Sequence, residues 1–307
     1  MKEKIIMIIL ITGATGLIGK QLVAELLNQN HTLHYLTTQK SKLNELANCS
    51  GYYWNPRSGE IDAKCFNGVD VIVHLAGASI AKRWTHSYKK EVLDSRIKTT
   101  HLLFNALKNT PHQVKKVVSA SGTAIYPDSL TAIYDENSSE VEDSFLSNVV
   151  QKWEEAVQKF QFLNIQTARI RTGVVYSAKG GALLEIIKPI KMGFGSAFGS
   201  GQQIQSWIHL TDLVQLYSLV INSEINGVVN AVAPQTVTNQ ELTRAVAKHL
   251  KRKIWLPNVP QWVMKMVLGD MSILLFNSKK IVPQKALDNH FRFQFPTLDE
   301  ALDEIIK

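Results

Sequence analysis

The chain has 307 residues, 45% hydrophobic and 20% charged, with a formal net charge of +8. That length holds one large α/β unit or two intimate ones, and the composition excludes disordered, collagenous and disulfide-stapled classes. The positive balance would suit a polyanion, but the basic residues look scattered, and the run "KHLKRK" (248–253) reads as a solvated helix end, so no nucleic-acid partner is expected.

The N-terminal "MKEKIIMIILIT" starts with lysines and an apolar run, as a leader peptide does. It passes straight into "GATGLIG" without a small-residue cleavage site, so a buried strand over 5–12 is expected instead. A helix follows over 17–28, where apolar residues recur at helical spacing. Strands are expected over 31–38, 69–77, 114–121, 164–176 and 227–234, with a long helix over 85–109 that stops before Pro111. Alternating strands and helices predict an α/β fold, a doubly wound parallel sheet. "KMGFGSAFGSGQQ" (191–203) is a glycine-rich loop, and helices over 238–251, 260–275 and 297–306 would build a smaller, mainly helical part. The expected division is a dinucleotide-binding unit over 1–176 and 209–232, interleaved with a cap over 177–208 and 233–307.

Within the cap, "WVMKMVLGDMSILLF" (262–276) is interrupted by Lys265, Gly269 and Asp270. It falls short of the roughly 20 apolar residues that span a bilayer. A core helix broken at Gly269 is expected, with no membrane partner. Cys49 and Cys65 lack metal-ligand spacing and the nine histidines are isolated, so no metal site is expected. A reduced, cytoplasmic protein is the default.

The strongest chemical signal is "ITGATGLIGKQL". Gly13, Gly16 and Gly19 fall between the first strand and the first helix, with Ala14, Thr15, Leu17 and Ile18 around them. Glycines there permit a tight turn and close backbone approach to a pyrophosphate, which the helix N-terminus favours. A dinucleotide site is expected. NAD-binding sheets usually carry an acid at the end of the second strand to hold the ribose 2′-hydroxyl. This chain has "LTTQKSK" (36–42) there: Thr37 and Thr38 can donate hydrogen bonds, and Lys40 or Lys42 can meet a 2′-phosphate. NADP(H) is therefore expected over NAD(H), the other reading being two solvated lysines. The strand ends "HLAGAS" and "SASGTAIY" place Leu75, Ala76 and Gly77, and Ser119, Ala120 and Ser121, along the same edge.

Taken with "WIHLTDLV" (207–214), these pieces resemble the extended short-chain dehydrogenase/reductase superfamily. "YWNPRSGEID", "LAGASIAKRWTHSYKKEVLDSRIKTTHLL" and "GSGQQIQSWIHLTDL" resemble more closely the atypical epimerase family within it, related to NAD-dependent epimerases/dehydratases. "VLGDMSILLFNSKKIVPQKAL" and "FRFQFPTLDEAL" resemble its small C-terminal domain (DUF1731 type). The resemblance spans essentially the whole chain and implies a cytosolic NADP(H)-binding protein with an unassigned substrate.

Reductases of the superfamily use a tyrosine as acid/base, with a lysine four residues on to lower its pKa. In "SFLSNVVQKWEEA" (144–156) the matching positions hold Leu146 and Val150, and none of the eight tyrosines precedes a lysine by four. On that helix Val149, Val150 and Trp153 are expected to face the core, and Lys152, Glu154 and Glu155 water. Ser121 is the surviving hydroxyl, with catalytic and strand-capping roles both open. Tyr126 is a substitute acid without a neighbouring lysine. Arg96, with Thr99 or Thr100, is expected to reach cofactor or substrate, and Arg171 to border the cleft. Trp84, Trp207 and His209 are expected to line a small-molecule substrate, although His209 could also serve only to pack. Asp212 is expected to cap the helix that follows it. Two functions stay open: an NADP(H)-dependent epimerase or reductase of a nucleotide sugar or small carbonyl compound, and a non-catalytic NADP(H)-binding sensor or partner-binding module. Monomer and homodimer are also both open.

Overall fold

A computed structural model of the chain describes residues 6–307; Ile5 of the expected first strand lies outside the described residues. The first half runs β1 (Ile8–Thr12), α1 (Leu17–Asn28), β2 (Thr32–Thr37), β3 (Cys49–Asn55), β4 (Glu60–Ile61), β5 (Val71–His74), α2 (His86–Lys108), β6 (Lys116–Gly122), β7 (Ile133–Tyr134) and α3 (Phe145–Gln158). Next come β8 (Gln166–Thr172), β9 (Val174–Tyr176), α4 (Ala182–Lys191), β10 (Ile204–Gln205), β11 (Trp207–His209), α5 (Leu210–Ile221) and β12 (Gly227–Ala231). The C-terminal part holds β13 (Val237–Thr238), α6 (Asn239–His249), α7 (Gln261–Leu268), α8 (Ile273–Phe276), β14 (Lys280–Ile281), α9 (Gln284–Asp288) and α10 (Leu298–Ile305).

Eight strands form one sheet in the order β12-β8-β6-β5-β1-β2-β3-β4. All neighbours are parallel except β4, which folds back on β3. The chain turns to opposite sides of β1, with β2 on one flank and β5 on the other. This leaves a crevice at the carboxyl edge between β1 and β5, the place where such sheets bind ligands. The central strands are apolar on both faces because helices cover both. On one face Leu22, Val23 and Leu26 of α1 pack with Leu213, Leu216 and Val220 of α5. On the other, Leu102, Leu103 and Leu107 of α2 pack with Phe66 and Phe160.

The segment expected as one strand over 164–176 is split. At Gly173 an added Cβ would lie 2.5 Å from the Ser206 carbonyl oxygen, so β9 leaves the main sheet there and pairs with β11. A separate cluster of Tyr176, Leu183, Ile190, Trp207, Leu242, Val246, Leu298 and Leu302 forms the core of the smaller part. The helix expected over 260–275 breaks at Gly269, as expected, with φ +61°, but it is not a core helix: α7 contains no buried residue. Trp262 and Met266, one turn apart, stand 64% and 66% exposed.

Asp212 also departs from expectation. The cap of α5 is His209, whose Nδ1 accepts from Thr211 N–H at 3.2 Å. Asp212 instead accepts from the backbone N–H groups of Gln294 and Phe295 at 2.7 and 3.0 Å and holds the C-terminal segment against α5. Among the described residues, no helix is long and apolar enough to cross a membrane.

At the amino end of the sheet, the buried Lys116 donates from Nζ to the carbonyls of Val220 and Ser223, both at 2.6 Å, closing the end of α5. Burial pushes its ammonium down to about 8, against the pull of Glu224. Between pH about 8 and 10.5 the unfolded chain keeps a proton that the folded chain has released, so this group's share of stability rises with pH. Urea denaturation of wild type and Lys116→Met across that window should show the difference moving in favour of wild type. A pH-independent difference would contradict the assignment.

Candidate functional site

The glycine loop forms a cradle that side chains would fill. Gly13 has φ +69°, and a Cβ there would lie 3.0 Å from the Leu75 carbonyl. A Cβ on Gly19 would lie 2.2 Å from Gly13 O and 2.7 Å from Ala14 Cα, so only glycine lets α1 come this close to β1. Gly16 opens α1 without a side-chain cap, and the first turn carries no acid. The leading amides of Leu17 and Ile18 thus remain available to an anion.

Across the crevice, Thr12 Oγ1 lies 2.8 Å from His74 Nδ1 and accepts from the N–H groups of Leu75 and Ala76, both at 3.1 Å. His74 Nε2 meets the Thr100 hydroxyl at 3.1 Å. Burial, with Arg96 beside it, pushes the imidazole down to about 3, so it stays neutral. These contacts fix the direction in which the backbone leaves β5. Thr99 and Thr100 are thereby used within the core.

At the end of β2, Thr37 is buried and Thr38 and Lys40 are exposed, with the Lys40 ammonium 5.0 Å from the Tyr53 ring centre. Lys42 is paired with Glu45 at 3.1 Å. Of the two lysines expected there, Lys40 is the one without a carboxylate partner among the described residues.

On the other flank, the Arg96 guanidinium lies 5.1 Å from the Trp153 ring and donates to Val92 O at 2.8 Å. A Cβ on Gly77 would lie 3.2 Å from its Cζ. Among the described residues Arg96 forms no ion pair, and burial pulls it down to about 10. Trp153 keeps a buried Nε1–H that has no hydrogen-bond partner among the described residues. Trp84 seals the start of α3, edge-on to Phe145 at 5.4 Å. Leu146 and Val150 are buried where a tyrosine and a lysine were sought.

Beneath this edge the expectations need correcting. Glu154 does not face water. It is 6% exposed and takes Arg171 bidentately, Nε to Oε1 and Nη2 to Oε2, both at 2.8 Å. Ser121 Oγ donates to the same carboxylate at 2.6 Å. Arg171 is therefore committed within the sheet and does not border a cleft. Burial opposes its charge, but the hydrogen bonds and charge of Glu154 outweigh that and hold its pKa above the usual range.

Tyr126 is wholly buried, its hydroxyl 2.7 Å from Asn230 Oδ1 and 3.0 Å from Arg171 Nη1, which donates to it. Burial raises the phenol and Arg171 offsets this only in part, so Tyr126 is a structural group and not a substitute acid. Ser119 is fully buried and bonded to Ala120 O. Trp207 is also fully buried, stacked on Tyr176 at 5.1 Å, and lines nothing. His209 is 3% exposed, packed on Phe295 and 3.2 Å from Glu304.

The structure brings forward one residue that the sequence did not single out. Tyr88 donates from Oη to Ser79 O at 2.6 Å, on the loop that continues from Gly77. Lys82 lies 5.7 Å from its ring. No lysine four residues on marks it in sequence; only the fold returns α2 to that loop. Lys89, one residue further, reaches Asp270 at 2.5 Å and ties the start of α2 to the segment after α7. Among the described residues no cluster of metal-ligating side chains occurs. A polar concavity of about 540 Å³ beside Glu136, Glu224 and Lys285 lies at the amino end of β12, away from the glycine loop.

Residues 9–232 match the NAD dependent epimerase/dehydratase family, and residues 259–305 match a domain of unknown function, DUF1731. The chain is 35% identical over 305 residues to an Arabidopsis thaliana protein, the chloroplastic homolog of epimerase family protein SDR39U1, covering 98% of this chain and 87% of the relative. It is similar to the crystal structure of human epimerase family protein SDR39U1 with NADPH, at 32% identity and a TM-score of 0.84, covering 98% and 99% of the two chains. A nucleoside-diphosphate sugar epimerase from Corynebacterium glutamicum is similar over 99% of this chain and 59% of its own, with 26% identity and a TM-score of 0.81.

The Glu154–Arg171 pair makes a sharp prediction. Glu154→Gln or Arg171→Met alone strands a buried partner and should cost about 3 kcal/mol or more. The double variant should cost much less than the sum of the two. Additive losses in a urea-denaturation cycle would show that the pair is not coupled.

Proposed function

The chain belongs to the NAD dependent epimerase/dehydratase family, and we propose that it binds NADP(H) along the carboxyl edge of its sheet and acts as an epimerase- or reductase-like protein without the usual tyrosine–lysine pair. The observation that carries this reading is the turn of Gly13, Gly16 and Gly19, whose missing side chains let backbone pack on backbone and set the uncapped start of α1 at the carboxyl end of β1, where a pyrophosphate would bind. The NADPH in the human SDR39U1 structure supports the same cofactor.

Lys40, with Thr37 and Thr38, would receive a 2′-phosphate at the end of β2. Arg96 would stand at the nicotinamide end, since it lies between the end of β5 and α3, on the side of the crevice opposite β2. Its fixed charge, free of any carboxylate among the described residues, would take over the electrostatic part of the absent lysine's role. Ser121 already gives its proton to Glu154, so it offers a substrate hydroxyl an acceptor and not a donor. The bound cofactor supplies hydride chemistry; the proton would have to come from another group, and Tyr88 is the phenol that α2 brings to the adjoining loop. A nucleotide sugar or small carbonyl compound is the substrate class this reading takes.

Burial of Leu146, Val150 and Tyr126 favours a second reading, an NADP(H)-binding sensor that consumes nothing. Incubation with NADPH and a panel of nucleotide sugars and carbonyl compounds separates the two. Turnover reduced in Tyr88→Phe supports the first reading; thermal stabilisation by NADPH with no consumption across the panel supports the second.

For the cofactor itself, calorimetry should give a Kd for NADPH about tenfold or more below that for NADH, a gap that Lys40→Gln narrows. Arg96→Met should weaken NADPH and leave 2′,5′-ADP, which lacks the nicotinamide half, unchanged. Tighter NADH, or equal loss of both ligands in Arg96→Met, would defeat these assignments.

A further inference from the structure

Of 34 lysines and arginines, eight lie in two stretches, 186–211 and 242–269, that contain no aspartate or glutamate. The other 26 balance the 26 acidic residues, so these two stretches, on the glycine-rich loop and in the C-terminal part, carry a charge equal to the chain's whole surplus of +8. The charge is not scattered, as the sequence alone suggested.

The same stretches carry six of the most exposed large apolar side chains. Met192 and Phe194 are 67% and 63% exposed, and Trp255 is 69% exposed. Trp255 Nε1 donates to Gly193 O at 3.1 Å, which sets these three side by side, directly after Lys251, Arg252 and Lys253 and next to Lys191. Hydrogen bonds from Val259 to Ala197 and from Gly199 to Val259 lay the two stretches alongside each other. α7 then adds Trp262, Met266 and Val267, with Lys265 between them. Neighbouring acids are already used: Glu185 by Lys188, Glu241 by the cap of α6, and Asp303 by His249.

We propose that this face of the cap binds the surface of an anionic phospholipid bilayer. Protruding tryptophans amid lysines suit the headgroup–acyl boundary, where the ring has an apolar body and a polar edge and the cations meet lipid charge. Methionine and valine partition into acyl chains but do not stack on bases, which favours lipid over nucleic acid. The binding is peripheral and involves no spanning helix.

The test is co-sedimentation of the full chain with vesicles of phosphatidylcholine alone or with phosphatidylglycerol at one third. Binding at least tenfold stronger to the anionic vesicles, falling as salt is raised, is expected. Replacing Lys251, Arg252 and Lys253 by glutamine, or Trp255 and Trp262 by serine, should abolish it while NADPH-free melting stays near wild type, since all five side chains are exposed. Equal affinity for both vesicles, retention by the tryptophan variant, sedimentation without vesicles, or stronger capture by single-stranded RNA would each overturn the proposal.

Discussion

A carboxylate and a guanidinium lie buried against each other under the carboxyl edge of the sheet, and much around them follows from keeping them paired. Glu154 comes from α3 and Arg171 from β8, so the pair fixes the helix to the strand it crosses. Taking two charges out of water is costly unless their remaining hydrogen-bonding positions are filled. Ser121 fills one on the carboxylate and Tyr126 one on the guanidinium. Asn230 then receives Tyr126 and passes the chain of polar contacts to Val282 and Glu136. Groups that resemble catalytic candidates along the sequence are thus consumed in stabilising one ion pair.

This accounts for the uneven legibility of the sequence. β1, the glycine turn and α1 are local signals: a β-branched run, three glycines at fixed offsets and a helical repeat, each resolved within a dozen residues. The parallel order followed from their alternation. Glu154 is not legible as a buried acid because it sits between Trp153 and Glu155 on a helix flank, and nothing local marks it; its partner is 17 residues away on another element. Trp207 and His209 look like cleft residues because aromatic and imidazole groups suit ligands, yet each completes a packed cluster. α7 misleads the opposite way. Its apolar composition says core, but no second layer covers it.

The two flanks of the crevice differ in kind. On the glycine side the constraints are steric and strict, because backbone approaches backbone at distances no side chain allows. On the α3 side Leu146 and Val150 are buried and apolar, and the Arg96 guanidinium arrives from α2. A fixed guanidinium can hold and orient but cannot exchange a proton near neutral pH. One crevice thus joins a strictly steric flank to a variable, side-chain-built one, in keeping with function residing in side chains grafted on a shared fold.

The anchoring of the C-terminal segment by Asp212 also bears on how the chain is assembled. The acceptor and the Phe295 amide are 83 residues apart, and α10 supplies Leu298, Ala301 and Leu302 to the core shared with Tyr176 and Trp207. During synthesis α5 and β11 emerge long before the groups that cover them. The smaller core can close only after residue 302 has left the ribosome, whereas the crevice between β1 and β5 can form from the first half of the chain. A nascent chain would hold a shaped nucleotide cradle while its cap still exposes apolar surface, a window in which chaperones or cofactor would have the most influence on yield.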